Sequence, residues 1–180
     1  YSSEALLASL CCQMDVALAA GWHELVLVPG NIGHKAVSQA LARIEDSQIV
    51  EVSNEWGAML ERCANTPALT RVVIGGHPGK LAKLIRGDWN THSRHSRSAV
   101  PILEVACRNL GIHIPEPAQT CQHVFDLLDD GDAGRLADQL AVDIATAVDT
   151  HTASAFPIEV FLFDMQGNVL GTHQQDHYHV

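Results

Sequence analysis

The sequence predicts an α/β fold, a three-layer Rossmann-like domain with a mostly parallel sheet and a C-terminal antiparallel hairpin. Short apolar runs alternate with segments of helical periodicity across short loops, the pattern of a parallel sheet covered by helices. The runs are apolar throughout, as strands buried on both faces are. Near the end, Ile158 to Phe163 is followed by Asp164-Met165-Gln166-Gly167-Asn168 and then Val169-Leu170, which predicts the hairpin.

In chain order, Ser3 is the expected cap of a helix from Glu4 to about Ala20. Leu6, Leu10, Met14, Ala17 and Leu18 form its apolar face, and Gly21 ends it. Leu25 to Val28 is the first strand, closed by Pro29-Gly30-Asn31-Ile32-Gly33. Helical spacing resumes at Ala36, Val37, Ala40, Leu41 and Ile44. Ile49 to Val52 is the second strand, and Trp56, Met59, Leu60 and Cys63 mark the next helix. Arg71 to Ile74 is the third strand, followed by Gly75-Gly76-His77-Pro78-Gly79 and a basic helix start at Lys80, Lys83 and Arg86. Val100 to Leu110, Val124 to Leu128 and Arg135 to Val148 read as helices. Asp129-Asp130-Gly131-Asp132 reads as a solvated loop and helix start, since it lacks the alternating oxygen ligands and distal Glu of an EF-hand loop. One domain is expected over residues 1–172, with 173–180 as a His-rich tail. His173, Asp176, His177 and His179 there have no second cluster to complete a tetrahedral metal site. The chain opens at Tyr1 rather than Met, at a helix start, so a piece of a longer protein is expected.

The formal charge of −10 argues against nucleic acid, and no apolar run approaches the roughly 18 residues that span a bilayer. Five irregularly spaced cysteines without a CxxC point to free thiols in a reducing compartment, and the expected location is cytoplasmic. Within this acidic chain, six of the eleven Lys and Arg lie between Arg71 and Arg97 against a single acid, Asp88.

Pro29-Gly30-Asn31-Ile32-Gly33 fills the last two glycine positions of GxGxxG, with Val28 at the first. Both a cofactor loop and an ordinary tight turn fit, and Val28 weakens an NAD-type dehydrogenase. Glu51, 18 residues past Gly33, stands where an acid would suit a ribose diol. Gly75 to Lys80 falls one residue short of a P-loop, and Leu81 replaces the magnesium-binding hydroxyl. A basic helix start can still hold carboxylates or phosphates through Lys80 and Lys83. His77 and His92 are the candidate general bases, because imidazole titrates near neutral pH. No GxSxG or basic, Gly-rich cysteine setting supports a nucleophilic triad.

Taken together, PGNIG, SNEWGAML (Ser53 to Leu60), IGGHPGKLAKL (Ile74 to Leu84) and THSR (Thr91 to Arg94) resemble the CbiD family in order and separation. EVFLFDMQGNVLG resembles the family's closing segment. The resemblance covers nearly the whole chain and corresponds to roughly the C-terminal half of the family's proteins. The chain departs from the family at Arg97 and Ala99, where an acid and then an arginine usually follow THS. The resemblance implies a cobalt-precorrin-5B C1-methyltransferase of anaerobic cobalamin (vitamin B12) biosynthesis. S-adenosylmethionine is then the methyl donor, a cobalt-containing tetrapyrrole the substrate, and no metal is bound by the protein itself. On that basis Gly30, Asn31, Gly33, Ser53, Asn54 and Gly57 are the expected cofactor-binding residues. Gly76, Gly79, Lys80, Lys83, Thr91, Ser93 and Arg94 are expected to bind substrate, and His77 and His92 to be catalytic. The expected partners are the tetrapyrrole and a missing N-terminal portion, and a homodimer is compatible with the family. A non-catalytic tetrapyrrole- or nucleotide-binding module of a larger enzyme is the alternative.

Overall fold

The computed structural model describes residues 2–174. Its sheet has five strands in the order β2-β1-β3-β4-β5, where β1 is Glu24–Val28, β2 Ile49–Glu51, β3 Arg71–Gly76, β4 Ile158–Phe163 and β5 Val169–His173. The first four are mutually parallel, and β5 returns antiparallel to β4, with Val160 opposite His173. His173, expected in the tail, is therefore a strand residue. The remaining tail histidines and Asp176 lie outside the described residues.

Successive side chains of a strand face opposite ways, and both faces are covered. Val26, Val28, Val73, Phe161 and Phe163 meet α2 (Asn31–Ala40) through Ala36 and Val37. Leu25, Leu27, Val72, Ile74, Val160 and Leu162 meet a larger layer on the other face. That layer comprises α1 (Ser3–Ala19), α3 (Trp56–Ala64), α4 (Pro78–Leu81), α5 (Val100–Leu110), α6 (Cys121–Asp126) and α7 (Asp130–His151). The three layers are thus unequal. Each fully buried Leu, Ile or Val contributes about 1.5–3 kcal/mol of transfer free energy, so the large layer carries most of the stability.

Several boundaries differ from the expected ones, for local reasons. The cap of α1 is Ser2, whose Oγ accepts from Ala5 N at 3.2 Å. Helix α2 begins within PGNIG itself, with Gly30 as its N-cap. The acidic run at 129–132 is the first turn of α7: Asp129 caps it, accepting from Asp132 N at 2.8 Å, and carboxylates are favoured at a helix N-terminus. The basic segment forms only the single turn of α4 and a 3₁₀ stretch, Ala82–Arg86, ended by Gly87 at φ +83°.

Strand β3 must pass close to two neighbours. A Cβ on Gly75 would lie 2.6 Å from Val37 Cγ2, and one on Gly76 2.9 Å from Pro29 Cδ. Strand β5 crosses α7 so closely that a Cβ on Gly171 would lie 2.5 Å from the Ala137 carbonyl carbon.

Candidate active site

From β1 the chain passes over one face of the sheet to β2, and β3 connects onward to β4 on the other side. The carboxyl ends of β1 and β3 therefore flank a topological switch point, where open α/β sheets bind ligands. A crevice of about 270 Å³ opens there, lined by Pro29, Gly30, Asn31, Ile32 and Gly33 after β1, by Gly76, His77 and Lys80 at β3, and by Met165. Gly33 and Gly76 let the two loops close around Pro29, since a Cβ on Gly33 would lie 3.3 Å from Pro29 Cδ.

Three features define the crevice chemically. Gly30 gives α2 no side-chain cap, so the first backbone N–H groups of that helix have no side-chain acceptor there. Lys80 is half-buried, and its ammonium makes no hydrogen bond or ion pair among the described residues. Burial, and secondarily Lys83, lowers its pKa from the usual lysine value. Ile32 (62% exposed) and Met165 (51% exposed) present apolar surface at the rim. Met165 is held there by the β4–β5 turn, in which Asp164 Oδ1 accepts from Gln166 N and Asn168 N, both at 2.9 Å.

His77 caps α4. Its Nδ1 accepts from Gly79 N at 3.0 Å, which leaves Nε2 to donate to Gln122 Oε1 at 3.0 Å. Both ring nitrogens are therefore engaged and the neutral tautomer is fixed. Gly79 is needed beside it, because a Cβ there would stand 3.0 Å from His77 Nδ1. His92 is exposed; its Nδ1 accepts from Arg94 N at 3.1 Å, and its Nε2 has no hydrogen bond among the described residues.

The other expected residues fall into two groups. Asn54, Gly57 and Thr91 join the loop after β2 to residues 89–91. Thr91 Oγ1 donates to Asn54 Oδ1 at 2.9 Å, Thr91 N to Asn54 O at 3.2 Å, and Gly57 N to Trp89 O at 2.9 Å. Ser53 begins this loop at φ +55°, a left-handed conformation that few non-glycine residues adopt. Lys83 braces the same loop from below, donating to Thr91 O at 3.1 Å and Ser96 Oγ at 3.0 Å. None of these residues lines the β1/β3 crevice. Ser93 and Arg94 instead line a polar hollow of about 560 Å³ with Arg86, Asp88, His95, Ser96 and Arg97.

The basic stretch is thus divided. Arg71 lies at the amino end of β3 beside Glu24 and Glu159, at the far end of the sheet from the crevice. Arg86 pairs with Asp88 and donates to the backbone of Arg97 and Ser98. Lys80, Lys83, Arg94 and Arg97 are left without an ion pair among the described residues, although Lys83 is held by Thr91 O and Ser96 Oγ. Beside the crevice, Glu51 Oε1 receives His34 Nδ1 at 3.0 Å, while His34 Nε2 stands 3.3 Å from Asp46 Oδ1. The hydrogen bond from Ser38, then that from His34, lowers the Asp46 pKa.

Pro29, Ile32, Met165 and Gln122 escaped the sequence-level site. Met165 comes from a turn some 130 residues away from PGNIG along the chain, and only its apolar side chain in an otherwise polar turn, Asp164-Met165-Gln166-Gly167-Asn168, could have marked it.

An α/β domain with an uncapped helix start, an unpaired lysine and apolar rims at its switch point has the chemistry to receive an anionic, partly apolar small molecule. Comparison with known proteins identifies the family. Residues 90–174 match CbiD, C-terminal domain. The chain is 38% identical over 173 residues to a Syntrophotalea carbinolica protein named cobalt-precorrin-5B C(1)-methyltransferase, covering 96% of this chain and 49% of that protein. Proteins of the same name from Methanocaldococcus jannaschii (48% over 93 residues; 52% of this chain, 25% of that one) and Methanococcus maripaludis (32% over 176 residues; 94% and 47%) are also similar. The chain belongs to the CbiD family. It spans about half the length of the curated relatives it matches along most of its own length. No solved structure matches it significantly. Among the described residues, no helix is long and apolar enough to cross a membrane.

Proposed function

We propose that the chain is the C-terminal part of an S-adenosylmethionine-dependent methyltransferase that methylates C1 of cobalt-precorrin-5B, giving cobalt-precorrin-6A in cobalamin biosynthesis. The names of its relatives support this. The observation that carries it on the structural side is Lys80, a half-buried cation without a partner in the switch-point crevice. A half-buried cation is costly unless a ligand supplies the counter-charge, and a tetrapyrrole bearing acetate and propionate groups does so.

In this proposal the methyl donor approaches along the α2 start (Gly30, Asn31, Gly33), and the tetrapyrrole edge lies against Lys80 and Gly76. The C1 carbon attacks the sulfonium methyl in line. The new carbon–carbon bond forms as the methyl–sulfur bond breaks, with its electron pair staying on sulfur. Such a step depends on alignment more than on proton transfer. His92, with Nε2 free among the described residues, is better suited to accept a proton than His77, which orients its loop. Cobalt enters as part of the substrate.

The test is calorimetry with S-adenosylhomocysteine on the chain and on the full-length Syntrophotalea relative, alongside methyl transfer from labelled donor to cobalt-precorrin-5B. Binding and turnover by the relative, with donor binding by the chain, are expected. Failure of the relative to bind the donor would overturn the proposal. Because the chain spans half of its relatives, a binding module without turnover of its own is the second reading. Tetrapyrrole binding by the chain without any methyl transfer would favour it.

A further inference from the structure

A second hollow adjoins the crevice and shares Asn31 with it. It encloses about 360 Å³ between α2 and the end of β2, and Glu51, His34, Ser38 and Asp46 line it. Glu51 is the last residue of β2 and lies level with Val28, the last residue of β1. Its carboxylate therefore stands at the same edge of the sheet as PGNIG.

The local bonding makes this carboxylate an oriented acceptor. His34, in the first turns of α2, reaches Glu51 through Nδ1 and Asp46 through Nε2. Asp46 is itself held by Ser38 Oγ at 2.7 Å. The ring donates to both carboxylates, through Nδ1 to Glu51 and Nε2 to Asp46, only when the imidazole carries both protons; in the neutral ring one of the two bonds is lost. Glu51 Oε1 is thus occupied by His34, whereas Oε2 has no hydrogen bond among the described residues. Glu51 remains partly open to solvent, with 41% of its side chain exposed. His34 takes only one lone pair of Oε1, so that oxygen and the free Oε2 can still accept from the hydroxyl donors of a ligand in the hollow.

We propose that this hollow is a nucleoside subsite in which Glu51 accepts the ribose hydroxyls of the methyl donor, with His34 as the positioning residue that aims the carboxylate. The proposal rests on the methyl-donor reading of the crevice. The donor's homocysteine part then passes Asn31 into the crevice, toward the α2 start, while its adenosine stays beside Glu51. The division leaves Lys80 to the acidic substrate rather than to the cationic sulfonium.

The experiment compares S-adenosylhomocysteine with its 2′-deoxyadenosyl counterpart, by calorimetry on the chain. Losing charge-assisted hydrogen bonds to a hydroxyl weakens binding about 10–100-fold. The wild type is therefore expected to prefer the ribose form by about that factor. Glu51→Gln is expected to weaken the ribose form and bind the two nearly alike. His34→Ala should reduce the preference, and His34→Asn, which can still present an N–H toward Glu51, should restore most of it. A wild type that binds both forms equally would overturn the subsite without touching the methyl-donor reading. So would a Glu51→Gln variant that melts normally and keeps the full preference. If the chain binds neither ligand, the subsite is overturned, and the methyl-donor reading is decided by whether the full-length relative binds the donor.

Discussion

Replacing Gly76 with alanine tests whether the crevice depends on the close approach of its two loops. The new Cβ would meet Pro29 Cδ at 2.9 Å, Pro29 Cγ at 3.0 Å and Leu81 Cδ1 at 3.2 Å, where ordinary contact begins at 3.4 Å. The proline ring has to withdraw by roughly half an ångström. It cannot do so by rotating, because its φ is fixed and it follows Val28, which is fully buried in β1. Overpacking of this kind costs about 1–3 kcal/mol, which lowers a urea midpoint by about 0.5–2 M at typical slopes. The same shift carries Gly30 and Asn31 with it, so affinity for a crevice ligand should fall about 10-fold, the equivalent of about 1.4 kcal/mol. Gly30→Ala is the control for stability alone, because Gly30 itself lines the crevice. Nothing lies within 4 Å of a Cβ there, and its φ of −173° suits any residue. Only the advantage of glycine over alanine as an N-cap is lost, less than about 1 kcal/mol. Urea unfolding of both variants and calorimetry on Gly76→Ala and the wild type read the difference. A Gly76→Ala protein within about 0.5 kcal/mol of wild type and with unchanged ligand affinity would refute the reasoning.

Lys80→Met removes a half-buried cation that has no internal partner, so stability should hold or rise by up to about 1 kcal/mol. Affinity for a polycarboxylate corrin should fall about 10-fold, as measured by calorimetry. His77→Ala should cost about 1 kcal/mol through the lost α4 cap. His77→Asn should recover most of that stability and, in the full-length enzyme, most of the turnover; a stable but inactive His77→Asn would assign His77 to proton transfer instead. In alkali, burial raises the Cys63 thiol to about 12 and the Cys121 thiol to about 11 from the usual 9.0. Below pH 9 both states hold these protons, so stability is unaffected. Above it the unfolded chain releases them while the folded chain does not, so urea midpoints should drop from about pH 9 toward 11–12, less steeply for Cys63→Ala. A flat profile above pH 9 would contradict the burial of these thiols.

The fold was largely legible because each signal was local. Leu25 to Val28 could only be a doubly buried strand, and the Gly111 stop after Val100 to Leu110 appears as a left-handed C-cap at φ +70°. Boundaries moved where a cap decided them, as at Ser2, which caps α1 in place of Ser3, because periodicity does not register a cap; the acidic run at 129–132 does start a helix, as its residues suggest. The site was legible in part. PGNIG and GGHPGK do meet at one crevice, as two Gly-rich loops after neighbouring parallel strands must. The local charge excess was misleading as a single patch: Arg71 and Lys80 are close in sequence but lie toward opposite ends of β3, and pairing has absorbed Arg86. Ser53, Asn54 and Gly57 carry glycine and amide chemistry that looks like a ligand loop, yet Asn54 and Gly57 bond Thr91 and Trp89. Met165 contributes through a tertiary contact that no sequence window contains.

The central claim is that methyl donor and acidic tetrapyrrole meet at the β1/β3 crevice of this CbiD domain. Backbone NMR of the chain, titrated separately with S-adenosylhomocysteine and with a polycarboxylate corrin, tests it most directly. Both ligands should shift the amides of Gly30, Gly33 and Gly76, with the corrin alone also moving Lys80. Shifts confined to Ser93 through Arg97, or different crevices for the two ligands, would contradict it.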